Sequence, residues 1–217
     1  MLDMFTDLFD TIHNEYQEWP SQLLFNLYSL IPKVSGGTRP IAKTPLFYRI
    51  WCICRSSIIK AWSRDTCPEW EHAAEGKSAF GSAALHQWAN EVAIVSNLHS
   101  GALLWDIEKF FDTLSYDDVR LSAQSLGYPG LDLELALRMH AAPRLLAVGG
   151  ATSSALVPAR GILQGCMHSF YLSRSVTHKP IARLVKEQRE ERFVSPTITS
   201  RYVDDLVQWS IGLKHNI

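Results

Sequence analysis

Cysteine is scarce in this chain: Cys52, Cys54, Cys67 and Cys166 are the only four in 217 residues. That is too few, and too unevenly spaced, for a disulfide scaffold. A zinc site on Cys52, Cys54, Cys67 and His72 is disfavoured by local geometry. Residues 46–62 carry apolar side chains at three- and four-residue steps, the pattern of a helix. Residues two apart on a helix face different ways, so Cys52 and Cys54 would not share a metal. The four read as reduced, mostly buried thiols of an intracellular protein. Long apolar runs are also missing, and none approaches the roughly 20 residues that cross a bilayer. Lys and Arg are absent from the first 18 residues, which hold Asp3, Asp7, Asp10, Glu15 and Glu18 instead. This stretch does not read as a secretory signal, and the expectation is a protein that is neither secreted nor in a membrane. There is no repeat, low-complexity tract or long linker.

What is present is a folding composition. The chain is 47% hydrophobic and 20% charged, which excludes a disordered tail, a coiled coil and a collagen-like repeat. The length suits one or two domains with a sizeable core. A net charge of −1 at first argues against a polyanionic partner, but the charges are segregated. Residues 19–64 hold seven bases and no acid (Lys33, Arg39, Lys43, Arg49, Arg55, Lys60, Arg64), and residues 135–186 hold seven more and no acid (Arg138, Arg144, Arg160, Arg174, Lys179, Arg183, Lys186). The acidic centre lies between them. Such separation suits a polyanion and its counter-charged metals. Ordinary solvated faces would give it too, so charge alone leaves both readings open.

Several elements are legible. Gly36-Gly37 between two short apolar runs predicts a hairpin, with Lys33 and Arg39 close together on its arms. Pro40 and Pro45 keep that region from being helical. A helix is predicted around residues 46–62 and another before Gly101. Residues 102–106, Ala-Leu-Leu-Trp-Asp, read as a buried strand. Ser115 with Asp118 resembles a capping box, Leu114 and Val119 are placed as a hydrophobic staple, and Gly127 is a stop. Asp117 and Asp118 therefore have a structural role as first-turn acids. A second hairpin is predicted about Gly149-Gly150. The stretch from Ile162 reads as a turn into a helix disturbed at Pro180. Two short β-prone runs then flank Asp204-Asp205, with a tight turn expected at those two acids.

Acids at strand ends invite a chemical reading, because strand interiors disfavour them. Asp106 closes one strand and Asp204-Asp205 interrupt another. Neighbouring strands could bring the three together, where they repel unless cations neutralise them. Hard oxygen ligands with open positions suit Mg²⁺, and two such ions can stabilise the attacking and leaving oxygens of a phosphoryl transfer. For the four residues Tyr202-Val203-Asp204-Asp205 taken alone, a plain turn is the simpler explanation.

The order of motifs changes that. Lys33, Gly36-Gly37 and Arg39-Pro40-Ile41 are followed by Asp106 with Phe111-Asp112, then Gly161-Ile-Leu-Gln164-Gly165 with Ser169, then Tyr202-Val-Asp204-Asp205. This succession resembles the fingers and palm of reverse transcriptases, nearest to those of non-LTR retrotransposons and group II intron maturases, from about Trp19 to Trp209. The resemblance implies an α+β fold: an antiparallel palm sheet backed by helices. It implies fingers in residues 1–100, a palm strand with the first catalytic acid in 101–114, a connecting region in 115–160, and a palm with the acid hairpin in 161–217.

By the same resemblance, Asp106, Asp204 and Asp205 would be catalytic. They would hold two Mg²⁺ ions (Mn²⁺ as a substitute) together with the Ile107 carbonyl. Phe111 stands where such enzymes place the aromatic that blocks a ribose 2′-OH. Lys33 and Arg39 would hold the triphosphate, as a guanidinium fork suits phosphate oxygens. Gln164 and Gly165 would lie against template and nucleotide, and Tyr202 near the primer end. The implied partners are an RNA template, a DNA primer and deoxynucleoside triphosphates. Phe111 as core, Arg39 as a solvated hairpin residue and Gln164 as a helix cap are the competing roles. Asp112 reads as structural.

Two departures stand out. Leu163 and Met167 occupy positions where the family usually or often has Pro, and after Trp209 only a short tail follows, with Lys214 too close to Asp205 to assign to the family's later Lys. The expectation is a core without a thumb, with a weak hold on primer–template. The rival functions are a viral-type RNA-directed RNA polymerase and an inactive palm that only binds nucleic acid or a partner. The former generally has Asp at the place of Phe111 and Gly at that of Val203.

Overall fold

The computed structural model describes residues 2–34, 36–190 and 197–212. In chain order they form α1 (Leu2–Asp10), β1 (Asn26–Pro32), β2 (Thr38–Lys43), α2 (Leu46–Asp65), α3 (Ala79–Val95), β3 (His99–Trp105), α4 (Phe110–Thr113), α5 (Tyr116–Ser125), α6 (Gly130–Ala141), β4 (Arg144–Val148), β5 (Ala151–Thr152), α7 (Met167–Glu190), β6 (Thr197–Tyr202) and β7 (Asp205–Gly212). A π-helical turn over Thr11–Tyr16 and a 3₁₀ turn over Ser21–Leu23 join α1 to β1. The class is α+β, as expected. The chain divides into two compact units that interleave in sequence: Met1–Trp62 with Phe111–Val176, and Ser63–Phe110 with Thr177–Ile217.

The first unit is built on an aromatic core. The Trp19 ring meets Tyr48 and Trp51 edge-on, with centroids 5.5 and 5.4 Å away, while Tyr48 and Trp51 stack at 5.6 Å. Their spacing on α2 explains the packing, since three residues on a helix return to nearly the same face. Trp19 and Asn26 each donate to a carbonyl of α6, those of Leu135 and Met139, at 2.9 and 2.8 Å. The buried face of α6 needs such partners for its polar groups, and Asp132 finds its own in a bidentate pair with Arg55 at 2.6 and 2.8 Å. The sheet of this unit has the order β2-β1-β4-β5, with β1 parallel to β4 and the other pairs antiparallel.

Both predicted hairpins are present, pairing Pro32 with Thr38 and Val148 with Ala151. The predicted cap is present too. Ser115 accepts from the Asp118 amide at 3.4 Å, Leu114 and Val119 are buried, and Gly127 takes a φ of 68° at the helix exit.

The second unit is a three-stranded antiparallel sheet, β3-β7-β6. Residues 70–72 run beside β6: the Arg201 amide donates to the Trp70 carbonyl and the His72 amide to the Arg201 carbonyl, each at 2.8 Å. Helix α3 covers one face. Ser200 bonds Ser82 and His86 of that helix at 3.3 and 2.8 Å, and the His86 ring stacks on Trp209. Burial lowers the His86 pKa, favouring the neutral ring that such a contact suits.

Four expectations are corrected. Strand β3 is not buried: it is an edge strand, and Leu103, Leu104 and Trp105 are 60%, 78% and 52% exposed. An apolar run alone does not reveal whether a strand has a neighbour on each side. Helix α7 passes through Pro180 without ending; a proline removes one amide donor, which a 24-residue helix tolerates. The thiols are mixed: Cys52 and Cys166 are buried, Cys67 partly so, and Cys54 exposed. The last turn is displaced by one residue, as described below. Lys214 lies outside the described residues. Among those described, no helix is long and apolar enough to cross a membrane.

Candidate active site

In the second unit, strand register decides where the acids stand. Trp105 is paired with Leu206, and Tyr202 with Asp205. One further step along β3 brings Asp106 level with Asp205. Tyr202 and Asp205 close the β6–β7 hairpin, so its two-residue turn is Val203-Asp204, not Asp204-Asp205. Asp204 sits in the turn and Asp205 opens β7. The three acids predicted from the sequence are therefore gathered at one end of one sheet.

Their charges are felt. The Asp205 carboxyl has a pKa raised above the ordinary value by partial desolvation, then by the Asp204 and Asp106 charges. Carboxylates in this relation favour a cation. The donor set is all oxygen, which is the chemistry of Mg²⁺ or Mn²⁺ rather than of zinc or copper. Among the described residues no three His, Cys, Asp or Glu side chains form a metal cage by themselves. Mg²⁺ characteristically keeps waters and substrate phosphates beside one or two carboxylates, so the donor set fits that ion.

The turn itself is strained. Val203 has a φ of 60°, a left-handed conformation costing a β-branched residue about 1–3 kcal/mol. It has the sign of the first central residue of a type II′ turn, where glycine is usual. Something must offset the strain. The Arg201 Nε donates to the Val203 carbonyl at 2.7 Å, and Arg201 Nη1 donates to Glu71 Oε2 at 2.9 Å. The side chains of Arg201 and Glu71 are 2% and 0% exposed.

Neither residue stands out in the sequence by motif. The available signal is a charge inside a short β-prone run, since a buried arginine requires a partner. Tyr202, at the hairpin's end, is 41% exposed. Ile107, just beyond β3, is 39% exposed.

The remaining predicted residues belong to the first unit. Lys33 and Arg39 line an open hollow of about 540 Å³ with Ile31, Pro32 and Val34. Both are exposed. The loop carrying Gln164 and Gly165 lies along β2: the Ala42 amide donates to the Gln164 carbonyl at 3.2 Å, and Gly165 passes β2 with a φ of 97°. Gly161 is forced to be glycine. Its φ is 92°, and a Cβ there would lie 2.9 Å from the Asp112 carbonyl oxygen. This close approach lets the Ile162 amide donate to the Phe111 carbonyl at 2.9 Å. Phe111 is half-buried, whereas Phe110 before it is 4% exposed. Backbone bonds thus link the segments of Phe111, Gln164 and the Arg39 hairpin.

Comparison with solved structures gives this arrangement a context. Apo telomerase from Candida tropicalis aligns over 96% of this chain and 43% of that one, with a TM-score of 0.64 and 11% identity. The same enzyme truncated from its C-terminal domain aligns over 87% and 44%, with 0.59 and 12%. The chain shares its fold with these telomerases. Telomerase from Candida albicans, in complex with a TWJ fragment of telomeric RNA, aligns over 88% and 38%, with 0.60 and 13% identity. In each case this chain spans less than half the length of its neighbour. No family model and no curated protein matches the sequence.

Proposed function

We propose that the chain is the nucleotidyl-transfer core of an RNA-directed DNA polymerase of retroelement type. The reading rests on one observation above the others: strand register collects Asp106, Asp204 and Asp205 at one sheet end, in a fold shared with telomerases. Asp106 and Asp204 would be the principal holders of the divalent ions, with Asp205 and the Ile107 carbonyl as further ligands. Bound there, the ions would supply charge neutralisation at the attacking and leaving oxygens.

The chain's own groups have separate tasks in this reading. Lys33 and Arg39 bind the triphosphate in the hollow they line. Phe111 presents a ring against a ribose 2′-OH and so favours deoxynucleotides by volume. The Gln164-Gly165 backbone lies against template and nucleotide, and Tyr202 packs near the primer end. Of the two basic segments, Arg55 is paired with Asp132 and Arg174 is buried; the exposed bases, among them Lys43, Arg49, Arg160 and Lys179, would follow the phosphate backbone, so binding should weaken with salt.

Phe111 favours DNA over RNA synthesis. The retained acids argue against a palm that only binds nucleic acid. Primer extension on an RNA template with Mg²⁺ and deoxynucleotides tests the proposal, with Asp204→Asn as the variant. Extension that requires Asp204 is the expected result; extension indifferent to that change refutes it.

A further inference from the structure

Arg201 is buried beside the candidate active site. It lies on β6, immediately before the residues that close the acid hairpin. Its guanidinium is fixed on three sides. Nη1 meets Glu71 at 2.9 Å, Nε meets the Val203 carbonyl at 2.7 Å, and the group lies 6.0 Å from the buried Phe110 ring centroid. Glu71 is fixed as well: its other oxygen accepts from the Ala73 amide at 2.9 Å. The backbones on both sides are tied by the two bonds between residues 70–72 and Arg201.

The carbonyl of Val203 and the amide of Asp204 belong to one planar peptide. Holding that oxygen holds the plane from which Asp204 departs, in a turn that its own valine disfavours. A buried ion pair is a poor device for stability alone, because desolvation cancels much of its attraction. A donor with a fixed fork is a good device for orientation.

We propose that Arg201 is a positioning residue for the candidate active site. Anchored by Glu71, it holds the Val203-Asp204 peptide so that the acids of the turn stand ready for a divalent cation. The inference rests on the reading of Asp106, Asp204 and Asp205 as cation-binding acids. Its effect on the turn can be measured without that reading.

The experiment compares the wild-type chain with Glu71→Gln and Arg201→Lys. Glu71→Gln keeps the shape and the acceptor for Ala73; Arg201→Lys keeps the charge and loses the fork. Amide hydrogen exchange is followed at residues 203–206, and Mn²⁺ binding by the loss of the free-ion electron paramagnetic resonance signal. Asp204→Asn identifies the ions that belong to the turn. Exchange at the turn should quicken at least tenfold in both variants while amides of α5 and α6 keep their rates. Mn²⁺ dissociation constants should rise about tenfold.

A merely structural role would quicken exchange throughout the second unit and leave Mn²⁺ affinity of the folded protein unchanged; that result overturns the inference. Should the single variants fail to fold, the double variant Glu71→Met/Arg201→Met removes both charges at similar volume, and the same two readings apply to it. A wild-type chain that binds no Asp204-dependent Mn²⁺ contradicts the cation-site reading. In that case local quickening at the turn still supports the role of Arg201 in holding it, and unchanged exchange overturns that role.

Discussion

In the first unit the largest buried side chains touch one another: Trp19, Tyr48 and Trp51 meet ring to ring. In the second unit a buried charge pair, Glu71 with Arg201, is tied to a strained turn instead. One arrangement stabilises by removing apolar area from water. The other contributes little net stability and much orientation. The difference separates the part of the molecule that carries packing from the part that carries its acids. Substitutions should therefore divide into those that unfold and those that inactivate.

The largest stability effect expected is from Trp51→Ala, which empties the centre of the aromatic cluster. It should cost about 3–5 kcal/mol, read from a urea unfolding midpoint. A loss below about 1 kcal/mol would remove the contrast between the units. Gly161→Ala comes next. The added Cβ meets the Asp112 carbonyl at 2.9 Å and must adopt a φ of 92°. About 1–3 kcal/mol should be lost in the same assay.

Phe111 lies in the first unit, and its proposed role is chemical, so Phe111→Ala should alter selectivity more than stability. Ribonucleotide incorporation should rise about tenfold relative to deoxynucleotide, which corresponds to about 1.4 kcal/mol of lost discrimination. Altered stability with unchanged selectivity would return Phe111 to the core.

The smallest effect concerns Asp205. Its pKa is raised by partial desolvation and the neighbouring Asp204 and Asp106 charges. The folded state thus holds the Asp205 proton more readily than the unfolded state does. Stability contributed by that proton is full below the ordinary carboxylate range and is lost as pH rises through the raised value. Without divalent ions, Asp205→Asn should melt about 1 °C higher than wild type at pH 7, and the gap should close below about pH 3. A lower melting temperature at pH 7 would mean that the acids do not repel.

Much of this was legible from the residues themselves. Glycine pairs at Gly36-Gly37 and Gly149-Gly150 marked hairpins because few residues accept their φ, and Ser115 marked a helix start because its hydroxyl caps one. The place of Asp106 at a strand end is legible from the apolar run before it. Three things escaped. Asp204-Asp205 looked like the turn because acids favour turns, whereas the pairing of Tyr202 with Asp205 places Val203 there instead. Arg201 bonds both the Val203 carbonyl and Glu71, 130 residues away in sequence, and no local pattern carries such a contact. The exposure of β3 is not legible in its apolar run, because sheet order is a tertiary fact. The continuation of α7 past Pro180 is not legible either, since whether a long helix survives the loss of one donor depends on its packing.

The polymerase reading stands on Asp106, Asp204 and Asp205 acting together at one centre. Single-turnover extension of a DNA primer on an RNA template, with Mg²⁺ and deoxynucleotides, tests it most directly when wild type is compared with Asp204→Asn. The wild type should extend the primer, and the variant should lose at least about a thousandfold, some 4 kcal/mol of transition-state stabilisation. Equal extension by the two proteins, with both folded, would contradict it.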